Sequence, residues 1–101
     1  MVIITSKYMK PLDVIGSVMD EHRKFLDECC RHSKFICCGI QNPSVGGVII
    51  ADVGIDEAQT IMKNDPLSAD GAAEYHFLEF TPWQRGERLS TQGWGRTFIF
   101  D

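Results

Sequence analysis

The order in which strand and helix signals follow one another constrains this chain more than any other feature. Residues 2–8 (Val-Ile-Ile-Thr-Ser-Lys-Tyr) are β-branched and aromatic and read as a strand. Pro11 ends it. From Leu12 to about Ser33 the pattern becomes helical. Val14, Val18, His22, Phe25, Leu26 and Cys29 recur at spacings of three and four, and charged residues fill the other face. Gly16 weakens the first turn of that helix by about 1 kcal/mol of propensity. Residues 34–41 form a second strand, Asn42-Pro43-Ser44-Val45-Gly46-Gly47 is turn chemistry, and residues 48–53 form a third strand, so the two make a hairpin. A second helix opens at Asp56 and ends near Asn64, because the residue before Pro66 is pushed out of the helical region. Residues 74–83 form a fourth strand. The order β-α-β-β-α-β specifies an α+β, ferredoxin-like plan: a four-stranded antiparallel sheet with both helices on one face.

The strand composition adds a second expectation. A sheet covered on one face alternates apolar and polar residues. Here the second strand sets Phe35, Cys37 and Gly39 on one side and Ile36, Cys38 and Ile40 on the other, and the fourth sets Tyr75 and Phe77 against Leu78 and Phe80. Both faces are partly apolar, and helices cover only one. A second copy of the chain is the simplest cover for the other, as a C2 homodimer with sheets packed face to face.

With 101 residues the chain makes one domain whose folding buries roughly two thirds of its surface. We divide it into a domain over residues 1–83 and an extension over 84–101. Within that extension Thr97-Phe98-Ile99-Phe100 reads as an edge strand or a dimer contact, against the alternative of a loose tail. The net charge of −4, with basic residues spread along the chain, argues against nucleic acid and against a basic membrane-surface helix. The first residues lack the apolar core of a signal peptide, and no run is long enough to span a membrane. The four cysteines, Cys29-Cys30 and Cys37-Cys38, are read as thiols of a cytoplasmic protein. Zinc ligation by Cys29, Cys37 and His32 is the sharper alternative. Adjacent cysteines diverge, however, where structural zinc favours two residues between ligands, so no metal and no cofactor are expected.

Two residues stand out for chemistry. His22 lies in the apolar stripe of the first helix, where a satisfied core histidine and a general base are the competing readings. Asp65 sits at the forced helix end, where it is either plain punctuation or the partner of a cation. His32 and His76 have weaker cases. No phosphate-binding glycine loop, zinc-protease motif or serine-hydrolase elbow is present.

The segments His22-Arg23-Lys24-Phe25-Leu26-Asp27-Glu28, Lys34-Phe35, Gly39, Gly46-Gly47-Val48-Ile49-Ile50-Ala51, Asp65-Pro66-Leu67 and Phe80-Thr81-Pro82, in that order and spacing, resemble the YCII (YciI-like) family. The resemblance covers about residues 2–83. It implies a homodimeric α+β barrel and an active-site pair falling by motif on His22 and Asp65. Members look like small-molecule enzymes, some with dehydrochlorinase-type elimination. This chain departs from the family in having Ile40 after Gly39, where proline is common, and in its tail.

The reading is therefore a cofactor-independent small-molecule enzyme, a lyase or isomerase, in which Asp65 orients His22 for proton transfer. Ser6, Tyr8, Gln41 and Tyr75 are the candidate substrate-positioning groups. The alternative is a non-catalytic dimeric module that binds a small ligand or serves as an accessory subunit.

Overall fold

The computed structural model describes residues 1–84 and 86. The strand proposed at Thr97–Phe100, and the rest of the extension from Glu87 onward, lie outside the described residues. The elements are β1 (Val2–Tyr8), α1 (Leu12–Ser17), α2 (Met19–Arg31), β2 (Phe35–Ile40), β3 (Gly47–Ala51), α3 (Ile55–Met62), a 3-10 helix (Pro66–Gly71) and β4 (Ala73–Glu79). The strands pair antiparallel in the order β2-β3-β1-β4, as the ferredoxin-like plan requires.

Register assigns the two faces of the sheet. Val2 and Ile4 on β1 stand opposite Ala51 and Ile49 on β3, and Ile4 also stands opposite Phe77 on β4. With Phe35, Val53, Ala58 and Met62 these residues form the main core, against which α2 and α3 pack. A smaller cluster, Ile15, Leu67, Ala72 and Ala73, lies under α1 and the 3-10 helix.

Three expectations need correction. The first helix is two. Val18, at φ −113° and ψ 5°, separates α1 from α2. Gly16 lowers the helix propensity there, and the Ser17 hydroxyl donates to the Val14 carbonyl at 2.6 Å, a local bond that competes with the helical ladder. The break rephases α1, so Ile15 is buried and Val14 is exposed. From Val18 onward the expected stripe of His22, Phe25, Leu26 and Cys29 does face inward, half-buried.

The second correction concerns β2. A bulge lies between Phe35 and Cys37, so Phe35 pairs with Ala51 while Cys38 pairs with Ile49. One extra residue reverses the alternation. Phe35, Cys38 and Ile40 then share the helix-covered face, and Cys37 and Gly39 lie on the open one. Third, β4 ends at Glu79 rather than near residue 83. The Glu79 carboxylate accepts the Ile55 N–H at 2.9 Å, capping α3 from the sheet.

Candidate active site

The site starts from a turn. α3 ends at Met62, and Asp65 takes extended backbone (φ −68°, ψ 129°), the conformation a following proline enforces. Asp65 is thus the N-cap of the 3-10 helix, with Pro66 in the first position, where a missing N–H costs nothing. This removes the difficulty of an anion at a helix C-terminus, since the carboxylate lies at the start of the next helix.

The turn aims Asp65 inward, and it is the buried charged residue among the described ones, 2 % exposed. Its carboxylate accepts three hydrogen bonds. Oδ1 takes the Leu67 N–H at 3.1 Å and His22 Nδ1 at 2.7 Å. Oδ2 takes the Tyr75 hydroxyl at 2.6 Å. A carboxylate only accepts, so the Nδ1 of His22 carries the proton in this contact. Nε2 takes no protein partner among the described residues. Burial, followed by the hydrogen bond to Asp65 and its charge, pushes the Tyr75 phenol well above its ordinary range, so Tyr75 remains a donor at neutral pH.

From α2, His22 reaches a cleft beside β2 and β3. Its side chain is 14 % exposed and lines a cleft of about 290 Å³ with Tyr8, Met19, Arg23, Leu26 and Cys38. Gly39, Ile40 and Gly47 complete the wall. Such a site is one of small-molecule size, mostly apolar with a few polar groups.

The candidate residues divide. His22 and Asp65 meet directly, Tyr75 completes their network, and Tyr8 lines the cleft. Ser6 and Gln41 hold backbone instead. Ser6 Oγ accepts the Gly47 N–H at 2.8 Å, and Gln41 Nε2 donates to the carbonyls of Ser6 and Gly47 at 2.9 and 3.1 Å. They pin the β2–β3 turn to β1 behind the cleft wall. The other two histidines pair with exposed glutamates, His32 with Glu28 at 2.9 Å and His76 with Glu74 at 3.2 Å. The His32 contact, and then the nearby Arg31 guanidinium, lower the Glu28 carboxyl below its usual range. Among the described residues no group of three or more His, Cys, Asp or Glu side chains is arranged to hold a metal ion. Cys37 faces away from the helices, whereas Cys29 packs from α2 onto the core, so the sheet separates those two thiols.

Arg23, Met19 and Cys38 were not foreseen as lining residues. Met19, three residues before His22, could have been found from its helical spacing; Arg23, adjacent to His22, could not, since neighbours on a helix diverge by about 100°. Cys38 could not, because simple alternation does not reveal the bulge that turns it inward.

Comparison with solved structures places one fold beside this one. It is the 5-chloro-2-hydroxyhydroquinone dehydrochlorinase of Burkholderia phenoliruptrix AC1100, in complex with 2,5-dihydroxybenzoquinone. The TM-score is 0.65 at 18 % identity, over 87 % of this chain and 98 % of the other, a likeness of fold. Comparison with curated proteins gives no match. The family model described as the YCII-related domain matches residues 1–81, and the chain belongs to that family.

Proposed function

We propose that this protein is a small-molecule enzyme in which His22 is a general base oriented by Asp65. The observation that carries the reading is the 2.7 Å contact between His22 Nδ1 and a buried, triply hydrogen-bonded carboxylate. With Nδ1–H committed to Asp65, the lone pair of Nε2 is the basic site left for a ligand in the cleft. It would take a proton from a polarised C–H or O–H group of the substrate. The released electron pair would then expel a leaving group from the adjacent position, an elimination. In an isomerisation it would shift a double bond, with the proton returned at another atom. Asp65 would stabilise the imidazolium formed in either case, and Tyr75 and the Leu67 N–H would hold Asp65 in place.

A small, flat, hydroxylated ring suits the cleft volume and its apolar wall. The structural relative is itself an enzyme of elimination, solved with a hydroxylated quinone. Arg23 at the cleft would receive the negative charge of such a ring. General base catalysis contributes about 10²–10⁴-fold. Incubating a panel of hydroxylated rings with the protein in D₂O, followed by NMR, should reveal deuterium exchange or loss of a leaving group. Both should fall at least about 10²-fold in His22→Ala with the circular dichroism unchanged. Compounds that raise the melting temperature but never exchange would establish the binding-module alternative.

We further propose that the open face of the sheet meets a second copy of the chain. Leu78, Ile3, Ile50 and Cys37 stand side by side across all four strands on that face. Leu78 is 62 % exposed in the single chain. A row of this kind marks an interaction surface. Sedimentation should give a dimer that Ile50→Glu converts to monomer, whereas a wild-type monomer at micromolar concentration contradicts the assignment. No helix among the described residues is long and apolar enough to cross a membrane, and the four free thiols suit a cytoplasmic location.

A further inference from the structure

A second cleft, of about 340 Å³, lies between α3, the 3-10 helix and β4. Its wall is made by Met62, Tyr75 and Phe77, and its rim by Gln59, Lys63 and Ser68. It shares no lining residue with the His22 cleft. We propose that it binds a small aromatic carboxylate, and that Tyr75 transmits its occupancy to His22.

The chemistry follows from what lines the space. Met62 and the two aromatic rings give a flat apolar floor, and thioether sulfur packs favourably against an aromatic ring. Lys63 makes no ion pair among the described residues, and the Gln59 side-chain amide makes no hydrogen bond among them, although both stand at the rim. A cation and an amide donor beside an apolar floor match a ligand with a planar ring and one anionic group. A cationic ligand would meet the Lys63 ammonium and be repelled.

The coupling rests on geometry. Asp65 holds His22 on Oδ1 and Tyr75 on Oδ2. Each cleft therefore contains one of the two side chains bonded to the same buried carboxylate. A ring pressed against Tyr75 moves its hydroxyl relative to Oδ2, and the carboxylate transmits this to Oδ1 and the imidazole. The binding assignment does not depend on His22 being a base.

The probe is benzoate, titrated into the full chain labelled with [methyl-13C]methionine, with benzyl alcohol as the neutral comparison. The four methionines separate the two clefts, because Met62 lines one and Met19 the other. The Met62 methyl signal should shift saturably while that of Met19 moves little. Benzoate should bind more tightly than benzyl alcohol, by about two- to tenfold, and the preference should vanish in Lys63→Gln. The His22 ring signals should follow the same isotherm in the wild type and stay still in Tyr75→Phe, which keeps the ring but removes the hydroxyl. Saturable shifts at Met19 instead of Met62, an unsaturable response, or a benzoate preference that survives Lys63→Gln would overturn the site. His22 shifts undiminished in Tyr75→Phe would overturn the coupling.

Discussion

Replacing Asp65 by alanine should cost more stability than any single apolar truncation at the margin of the core, because it strands three donors at once. The Leu67 N–H is buried, the Tyr75 hydroxyl is half-buried, and His22 Nδ1 belongs to a side chain only 14 % exposed. A hydrogen bond to a charged group contributes about 1.5–3 kcal/mol net, so three would sum to about 4.5–9 kcal/mol. Water entering from the clefts would restore part of this for His22 and Tyr75. The expected cost is therefore about 3–5 kcal/mol, the range found when one partner is removed from a buried charged network. Against a total of about 5–15 kcal/mol this is a large fraction, and it should lower the melting temperature by more than about 12 °C. Urea denaturation followed by circular dichroism measures it. The decisive comparison is Tyr75→Phe in two backgrounds. Alone it should cost about 1–2 kcal/mol. In Asp65→Ala it should be neutral or mildly stabilising, since both partners are then gone. A cost below about 1 kcal/mol for Asp65→Ala, or the same Tyr75→Phe cost in both backgrounds, would refute the network.

Other perturbations test separate parts of the account. Ser33 ends α2 at φ 60°, its N–H bonded to the Cys30 carbonyl and that of Lys34 to the Cys29 carbonyl, so Ser33→Gly should add about 1 kcal/mol by thermal melt. A Cβ at Gly46 would overlap the Ser6 carbonyl oxygen, so Gly46→Ala should unseat the β2–β3 turn, lowering stability and broadening the amide signals of Ser6 and Gly47. Loss of water around its sulfur, and then the neighbouring Cys30 thiol, push the Cys38 thiol up to about 11 from its ordinary 9.0. Its alkylation by iodoacetamide at pH 8 should be about a hundredfold slower than that of a free cysteine, as mass spectrometry of the modified peptide can show. The same shift makes the folded state hold a proton that the unfolded chain releases. Its stabilising effect is whole below pH 9 and lost as pH rises toward about 11, so urea midpoints should fall over that window.

Fold and pair were legible for different reasons. The element order came from β-branched and aromatic runs and a helical stripe, punctuated by proline and glycine, signals that survive folding because turn chemistry is local. Pro66 forcing Asp65 out of helix and His22 interrupting an apolar stripe singled out the two residues, and the resemblance to the YCII family is what set them together as a pair. What stayed hidden has two sources, one local and one in the pairing of strands. The helix break at Val18 follows from a Ser17 hydroxyl bond that competes with an ordinary-looking helical pattern. The bulge that turns Cys38 into the cleft is set by the pairing of Phe35 and Cys38 with β3, which sequence spacing does not encode. Ser6 and Gln41 read as substrate-positioning candidates, whereas in the fold the Ser6 hydroxyl accepts the Gly47 N–H and the Gln41 amide donates to the Ser6 and Gly47 carbonyls, contacts between strands that spacing does not encode.

A general base at Nε2 requires the neutral His22 ring to hold its proton on Nδ1. Nitrogen-15 NMR of the imidazole, in the native protein and in Asp65→Asn, reads this directly. The Nδ1–H tautomer is expected in the native protein, with the lone pair on Nε2, and that preference should be lost in Asp65→Asn. A native ring protonated on Nε2, or a tautomer unchanged by removing the carboxylate, would contradict the general-base role.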